Sequence, residues 1–407
     1  MGTSDFSLAL RNTLRHRTRS VVALVAIAFS VISLLLAGGF IQWVFWAIEV
    51  ATIETGLGHI QVVRPDYLEA GTADPFSYLL PEHSADLSAI EGTPHVKVVA
   101  PRLNFSGLIS HQDTTLSFIG EGVDADKEAI VSDHLRMSRG TGLSEQAPNE
   151  IIVGEGLAAN LGVNLGDKIV LLATSASGGM NAVECSVRGF FSTRFKSVDD
   201  NTIRIPIKLA RQLMRASGSH IWVVSLDGTD HTAMVLEQLR SRFKAAKLQF
   251  VPWFDLADFY NKTVTLLSSQ MVVVQIIIGV IIVLSISNML IMNLMERTGE
   301  IGTLMALGAR RAKILKLFFS EGLLLALIGG ASGLAIGLVL AKIISAIGIP
   351  MPPPPGRSVG YSGEILVTGR LLGGAFALAV GTTLFASLYP AWRASRLVIV
   401  DALRHNR

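Results

Sequence analysis

The chain has 407 residues, of which 50% are hydrophobic and only 16% charged, with a formal net charge of +3 and a mean hydropathy of +0.48. Soluble domains carry about a quarter charged residues, so this balance excludes an ordinary soluble protein and points to a membrane protein. The small positive charge leaves no nucleic-acid footprint.

In residues 1–20, Phe6, Leu10 and Leu14 fall at i+4 spacing with Arg11, Arg15 and Arg19 on a neighbouring face. That pattern predicts an amphipathic helix lying on an anionic leaflet. The apolar run Val21–Ile48 follows. It is much longer than the apolar region of a signal peptide and lacks a small-x-small cleavage site, so it predicts an uncleaved transmembrane helix. Trp43, Phe45 and Trp46 sit at its far end, either as an interfacial aromatic belt or as a surface facing a lipidic cargo.

Residues 49–263 change character, with alternating segments expected of half-buried strands. His59–Val63, Val96–Ala100, Asn104–Ser110 and Thr115–Gly120 come first; Glu150–Val153, Lys168–Ala173, Glu184–Gly189, Asn201–Ile205, Ile221–Leu226 and Leu248–Val251 follow. Helical periodicity marks Ala85–Glu91, Glu155–Leu161, Ile207–Ala216 and His231–Ala246. The expected arrangement is α+β in two subdomains, with 49–100 and 207–255 forming one lobe and 101–206 an inserted β-rich lobe. The lone Cys185 reads as a small core residue on a strand.

Catalytic chemistry is hard to place in this segment. His59, His83, His95, His111 and His134 have no metal-ligand spacing, and neither GxSxG nor GxxxxGK[ST] occurs. Gly154-Glu155-Gly156 opens a helix after a strand but lacks the third glycine of a nucleotide fingerprint and reads as a structural turn. Asp199-Asp200 reads as a solvated turn.

The second apolar run, 264–294, carries a helical pattern back to about Asp255. At 1.5 Å per residue roughly 40 residues make about 60 Å, twice the hydrocarbon thickness, so the helix is expected to continue as a stalk outside the membrane. Residues 295–316 form a short charged loop, MERTGEIGTLMALGARRAKILK. The third run, 317–347, carries Gly329, Gly333 and Gly337 at i+4 spacing, a register that lets helix backbones approach closely, either against the fourth span within the chain or at a dimer face. Glu321 lies one turn inside it, a functional candidate by default. Residues 348–370 contain the stiff run Ile349–Gly356. The fourth span is 371–390, bearing Gly373, Gly374, Ala377 and Gly381, and residues 391–407 form a tail.

Lysine and arginine placement orients these spans. Arg11, Arg15, Arg17 and Arg19 precede the first; Arg297, Arg310, Arg311, Lys313 and Lys316 lie between the second and third; Arg393, Arg396, Arg404 and Arg407 follow the fourth. The positive-inside rule then predicts cytosolic termini, a cytosolic 295–316 loop and an exported 49–263 domain.

The motifs Glu296-Arg297-Thr298-Gly299-Glu300-Ile301-Gly302 and Met305-Ala306-Leu307-Gly308-Ala309, then Glu321 and the glycines of the third span, resemble the FtsX/MacB/LolCE-type permeases of ABC transporters. Tyr389-Pro390-Ala391-Trp392-Arg393-Ala394, Asp401-Ala402-Leu403-Arg404 and the exported fragment Ile151–Val170 are similar to the same family, so the resemblance spans nearly the whole chain. It implies a membrane α-helical protein with four transmembrane helices in a one-plus-three arrangement and a large α+β periplasmic domain between helices one and two. It also implies a non-catalytic subunit of the bacterial inner membrane that dimerises, as a homodimer or heterodimer with a second permease, and binds two copies of a separate ATPase. ATP-Mg would be held by that ATPase and no cofactor by this chain.

By the same resemblance, Glu296, Arg297, Glu300, Ile301, Gly302, Leu304, Met305, Ala306, Leu307, Gly308, Ala309 and Arg310 form the coupling segment, with Ile301, Leu304, Met305 and Leu307 as its apolar face. The run Gly58-His59-Ile60-Gln61-Val62-Val63 and the proline-rich loop lean toward the lipoprotein-releasing branch. The alternatives are a MacB-like efflux permease working with an adaptor and an FtsX-like regulator of cell-wall hydrolases. A periplasmic cargo acceptor and membrane lipid complete the expected partners.

Overall fold

A computed structural model describes residues 17–71, 73–132, 135–193, 196–351 and 361–396. The expected amphipathic helix before residue 17, the proline run 352–355 and the motif Asp401–Arg404 lie outside the described residues. The described chain divides into a helical unit (17–46, 263–351 and 361–396) and a sheet unit (47–262).

Helix α1 (Arg17–Thr52) ends in one π-turn, Ile53–Leu57. Then come β1 (Ile60–Val63), α2 (Ala85–Glu91), β2 (Val96–His111), β3 (Thr114–Val123) and α3 (Ala125–Val131). Next are β4 (Arg136–Gly140), β5 (Glu150–Gly154), α4 (Glu155–Leu161), β6 (Lys168–Thr174) and β7 (Met180–Ser192). The sheet unit ends with β8 (Thr202–Pro206), α5 (Ile207–Met214), β9 (Ile221–Leu226), α6 (Thr232–Arg242) and β10 (Gln249–Pro252). Helices α7 (Asp258–Glu296), α8 (Thr298–Ala306) and α9 (Arg311–Ile347) follow. A two-stranded ribbon of β11 (Ile349–Met351) and β12 (Tyr361–Gly363) leads to α10 (Gly369–Ser395). Helices α1, α7, α9 and α10 are each long and apolar enough to cross a bilayer. Helix α7 is unbroken over 39 residues, about 58 Å at the standard rise.

The sheet unit is organised by β2. Its first half pairs with β9, which continues through β1 to β10, all antiparallel. Its second half pairs with β3 on one side and, over Gly107–Ser110, with β6 on the other. The circuit β2–β3–β8–β5–β7–β6 therefore closes on β2 as a six-stranded ring. The two segments predicted as Val96–Ala100 and Asn104–Ser110 are one strand. Pro101 lies on its β9-paired half, opposite Trp222, and pairing with β3 begins at Arg102. The lobe boundary expected at residue 100 thus falls inside a strand, and α5, assigned to the lobe of 49–100 and 207–255, packs in the ring's core with Leu103, Ile151, Ile203 and Ile205. The sheet of β10, β1, β9 and the first half of β2 has its own core around Ile60, Val99, Trp222, Val224, Val235 and Leu239.

Strand β4 and helix α3 were not anticipated. Strand β4 is exposed along most of its length, so it shows no alternation, while α3 is a capped helix of about two turns, with Asp124 accepting from the Lys127 backbone N–H at 3.1 Å. Asp199 is a correction. It is buried, not solvated, and accepts from the Ser192 hydroxyl (3.0 Å) and from the backbone N–H and hydroxyl of Thr193 (both 2.7 Å). Gly154 abuts this turn, where a Cβ would fall 2.3 Å from the Asp199 carbonyl oxygen, so the glycines at 154 and 156 serve close packing. Cys185 lies buried on β7, and burial pushes its thiol up to about 12, which leaves it inert.

A buried charge network stitches the ring to the neighbouring helices. Arg102 donates to both carboxylate oxygens of Glu128 (Nη2–Oε1 2.6 Å, Nε–Oε2 3.0 Å) and to the Gly56 carbonyl. Arg204 reaches Glu128 at 3.2 Å and Glu121 at 2.7 Å, and the Ser132 hydroxyl donates to Glu128 at 2.5 Å. These guanidinium groups hold the Glu128 carboxyl below the usual carboxylate range against its burial. Removing one member of such a network leaves an uncompensated buried charge, so Glu128→Ala is expected to cost roughly 3–5 kcal/mol, read as a large drop in melting temperature of the purified chain.

Two buried histidines are held neutral. The Leu226 N–H donates to His59 Nδ1 and the Asn104 N–H to His220 Nδ1, each at 3.1 Å. Burial lowers both rings from 6.5 to about 4. As pH falls through this window the unfolded chain takes up protons that the folded chain does not. Stability is therefore present above pH 6.5 and is lost toward pH 4, by up to about 1.4 kcal/mol per pH unit per histidine. Unfolding monitored across pH 7 to 4 is expected to show this decline, and a flat profile would contradict it.

Candidate functional site

The site is built from residues between and just inside α7 and α9. Helix α8 is short because Gly308 ends it. Its φ of +90° is favourable only for glycine, and the Gly308 and Ala309 N–H groups close back on Met305 and Leu304 at 3.0 Å each. One face of α8 is committed inward. Ile301 is buried with Leu294, Ile314, Phe318, Ala391 and Ala394, with Met305 packed against them. Gly302 is buried beside it.

This corrects part of the expected apolar docking face. Ile301 holds α8 onto α9 and α10, Met305 is half-buried with it, and Leu304 and Leu307 remain outward. Leu307 is 82% exposed, an unusual state for a leucine beside a helix end. Glu296, Glu300, Ala306, Gly308 and Arg310 are exposed, and Ala309 is half-buried.

Electrostatics fixes the segment. Arg297, which precedes α8, donates from Nη1 to Glu321 at 2.9 Å and from Nε to Glu300 at 3.2 Å. Glu321 is nearly buried within α9, so its charge is matched by a guanidinium also largely out of solvent. Glu321 was identified as a candidate from its position, and the structure supplies its counter-ion 24 positions back in the chain. No sequence spacing could have paired them, because the turn through α8 brings them together.

The glycine stripe of α9 faces α1. A Cβ at Gly329 would lie 2.9 Å from the Ile27 side chain, and one at Gly333 would lie 2.8 Å from the Ala28 carbonyl oxygen. Gly337 lies against Ile32 and Leu35, while Gly330 meets Phe376 of α10. The stripe is thus intrachain packing with α1, whereas the expected partner within the chain was the fourth span. Trp43 is buried, stacked on Phe40 (ring centroids 6.0 Å apart) and adjacent to Gly363. Trp46 is 51% exposed. The two tryptophans therefore do not form one surface.

The profile of the MacB-like periplasmic core domain matches residues 20–242, more than half of the chain, and that of the FtsX-like permease C-terminal region matches residues 272–399. The chain belongs to the FtsX/MacB-type permease family. A Xylella fastidiosa protein named lipoprotein-releasing system transmembrane protein LolC is 25% identical over 356 residues, covering 80% of this chain and 81% of that protein. A Psychrobacter cryohalolentis protein named macrolide export ATP-binding/permease protein MacB is 23% identical over 335 residues, covering 79% of this chain and 48% of that protein. The solved periplasmic region of MacB from Actinobacillus actinomycetemcomitans aligns with 52% of this chain and 95% of its own, at 13% identity and a TM-score of 0.36.

The permease is accordingly of the ABC transporter type to which LolC, MacB and FtsX belong, an inner-membrane protein with four apolar helices and a periplasmic-type α+β domain. Two outcomes test the helical packing. Gly333→Leu must displace the α1 backbone and is expected to destabilise the permease by about 1–3 kcal/mol or more. Gly373→Leu, which meets open space, is the control. Arg297→Ala is expected to lower the melting temperature by leaving the Glu321 carboxylate without its guanidinium, and adding Glu321→Gln should recover part of that loss.

Proposed function

We propose that Glu296–Arg310 is the surface through which an ABC-type ATPase drives this permease. The reading is carried by one observation. Helix α8 is pinned from behind by Ile301 and by the Arg297–Glu321 pair, while Leu304 and Leu307 stay exposed with Glu300 and Arg310 beside them. A short helix held rigidly by its own chain, with an apolar outer edge and a charged rim, suits docking into a groove on a partner. The charge distribution supports cytosolic termini and a cytosolic α8 loop. Two ATPase copies, holding ATP-Mg, would serve a dimer of this permease with itself or with a second permease, and the coupling residues would transmit force and take no part in covalent chemistry.

The cargo proposed is a lipoprotein or lipidic molecule taken from the outer face of the inner membrane. The match to LolC over 81% of that protein supports this reading. The efflux reading rests on the similarity to MacB, which covers 48% of that protein. Trp46, exposed at the outer part of α1, is the residue best placed to meet such a cargo, since Trp43 is sequestered.

Leu307→Glu tests the coupling surface without touching the core. In a reconstituted complex it is expected to reduce permease-stimulated ATP hydrolysis by at least about tenfold, the effect of losing about 1.4 kcal/mol of coupling, with the melting temperature unchanged. Wild-type stimulation in that variant would overturn the assignment. A photocrosslinker at position 46 is expected to capture acylated protein from active complexes, and capture of unacylated small molecules alone would favour efflux.

A further inference from the structure

In the sheet unit, three potential ligands from separate segments converge at the edge where β2 begins and β9 ends. Val96 pairs with Leu226, so His95 and Asp227 extend one residue beyond the paired ends, and the Asp227 N–H donates to the His95 carbonyl at 3.1 Å. His231 lies one helical turn after Asp227, at the start of α6. Asp227 accepts from both rings, Oδ2 from His95 Nδ1 at 2.9 Å and Oδ1 from His231 Nδ1 at 2.7 Å. The imidazole centroids are 3.9 Å apart.

His95 occupies a position that its side chain does not favour. The Val96 N–H donates to the Thr93 carbonyl at 3.1 Å, closing a turn with Pro94 second and His95 third at φ +69°. The third position of a Pro-containing turn with positive φ is normally glycine or asparagine, and a side chain there costs on the order of 1 kcal/mol. Here a histidine accepts that cost, and its ring is delivered to the carboxylate.

We propose that His95, Asp227 and His231 form a binding site for a first-row divalent cation, zinc by preference, with water in the fourth position. Two imidazoles and one carboxylate are a common ligand set for this ion. The candidate ligand atoms all lie within 4.8 Å of one another. Tetrahedral coordination with bonds of about 2.1 Å separates ligand atoms by roughly 3.4 Å, so the hydrogen-bonded contacts open by about 0.5 to 0.7 Å as one carboxylate oxygen and the two ring nitrogens turn to the ion. All three side chains are more than a third exposed, which gives the ion an entry path and room for water. The ion takes the place of the two Nδ1 protons, which pass to Nε2 as each neutral ring changes tautomer, and clips the turn before β2 to the first turn of α6. Histidines had no ligand spacing in the sequence because the third ligand arrives from 132 residues away.

The test uses the full-length permease with any affinity tag removed, stripped with chelator and then titrated with zinc against a chromophoric competitor. One saturable equivalent is expected, together with the intense visible absorption of tetrahedral cobalt when Co²⁺ is used instead. Asp227→Asn is expected to weaken zinc binding by about 10- to 100-fold, and His95→Asn with His231→Ala to abolish it. Asparagine tolerates positive φ, so His95→Asn keeps the turn and separates ligand loss from misfolding. Zinc should raise the melting temperature of the wild type and not of His95→Asn. Absence of saturable binding, or binding that survives the double variant, would overturn the site.

Discussion

Hydrocarbon offers no hydrogen-bond partners, and this constraint shapes the helical unit throughout. Every backbone group within the membrane must be satisfied inside its own segment, which leaves helices as the solution for α1, α7, α9 and α10. Close approach between them then depends on removing side chains and not on hydrophobic drive, because lipid is as apolar as leucine. Gly329 and Gly333 do this against Ile27 and Ala28, bringing the α9 backbone against α1. Two polar contacts join elements of this unit. Ser287 donates to the Ala386 carbonyl across α7 and α10 at 2.9 Å, and Glu321 meets Arg297.

The two units use buried charge differently. In the sheet unit, Arg102, Glu128, Arg204, Glu121 and Ser132 make a network in which Glu128 has several donors and Glu121 accepts from Arg204. Such a network offsets its desolvation through multiple charge-assisted bonds and ties α3 to β2, β3 and β8. In the helical unit, Arg297 sits at the junction of α7 and α8 and divides its guanidinium between Glu300 on α8 and Glu321 on α9. The result is a short helix whose orientation is set by its own chain, with Leu304 and Leu307 exposed.

Membership in the FtsX/MacB-type family gives these features a common frame, with an FtsX-like permease region and a MacB-like periplasmic core domain. The sheet domain is built for rigidity. Its ring closes through β6 onto β2, which leaves no free edge within the circuit, and β2 runs on to pair with β9, so both lobes share one strand. A strand shared in this way couples the lobes through backbone hydrogen bonds, which deform little.

Several layers of this architecture were legible in the residues. Composition and run length determined the four membrane helices, since apolar stretches of this length have one low-energy solution in lipid. Period-two alternation located most strands, and the charged loop between the second and third spans was visible as a local signal. Tertiary structure alone decided what each face meets. Ile301 and Leu304 look alike in sequence, yet one is core and the other exposed, because α9 and α10 cover only one side of α8. The glycine stripe predicted close approach but not its partner, since a small residue specifies distance and not identity. Asp199, read as solvated, is buried because Ser192 and Thr193 satisfy it, and Arg297 finds Glu321, and His95 finds Asp227 and His231, across separations that no local period encodes. Local periodicity is written by the chain's own geometry, whereas pairing across the chain depends on how the elements close on one another.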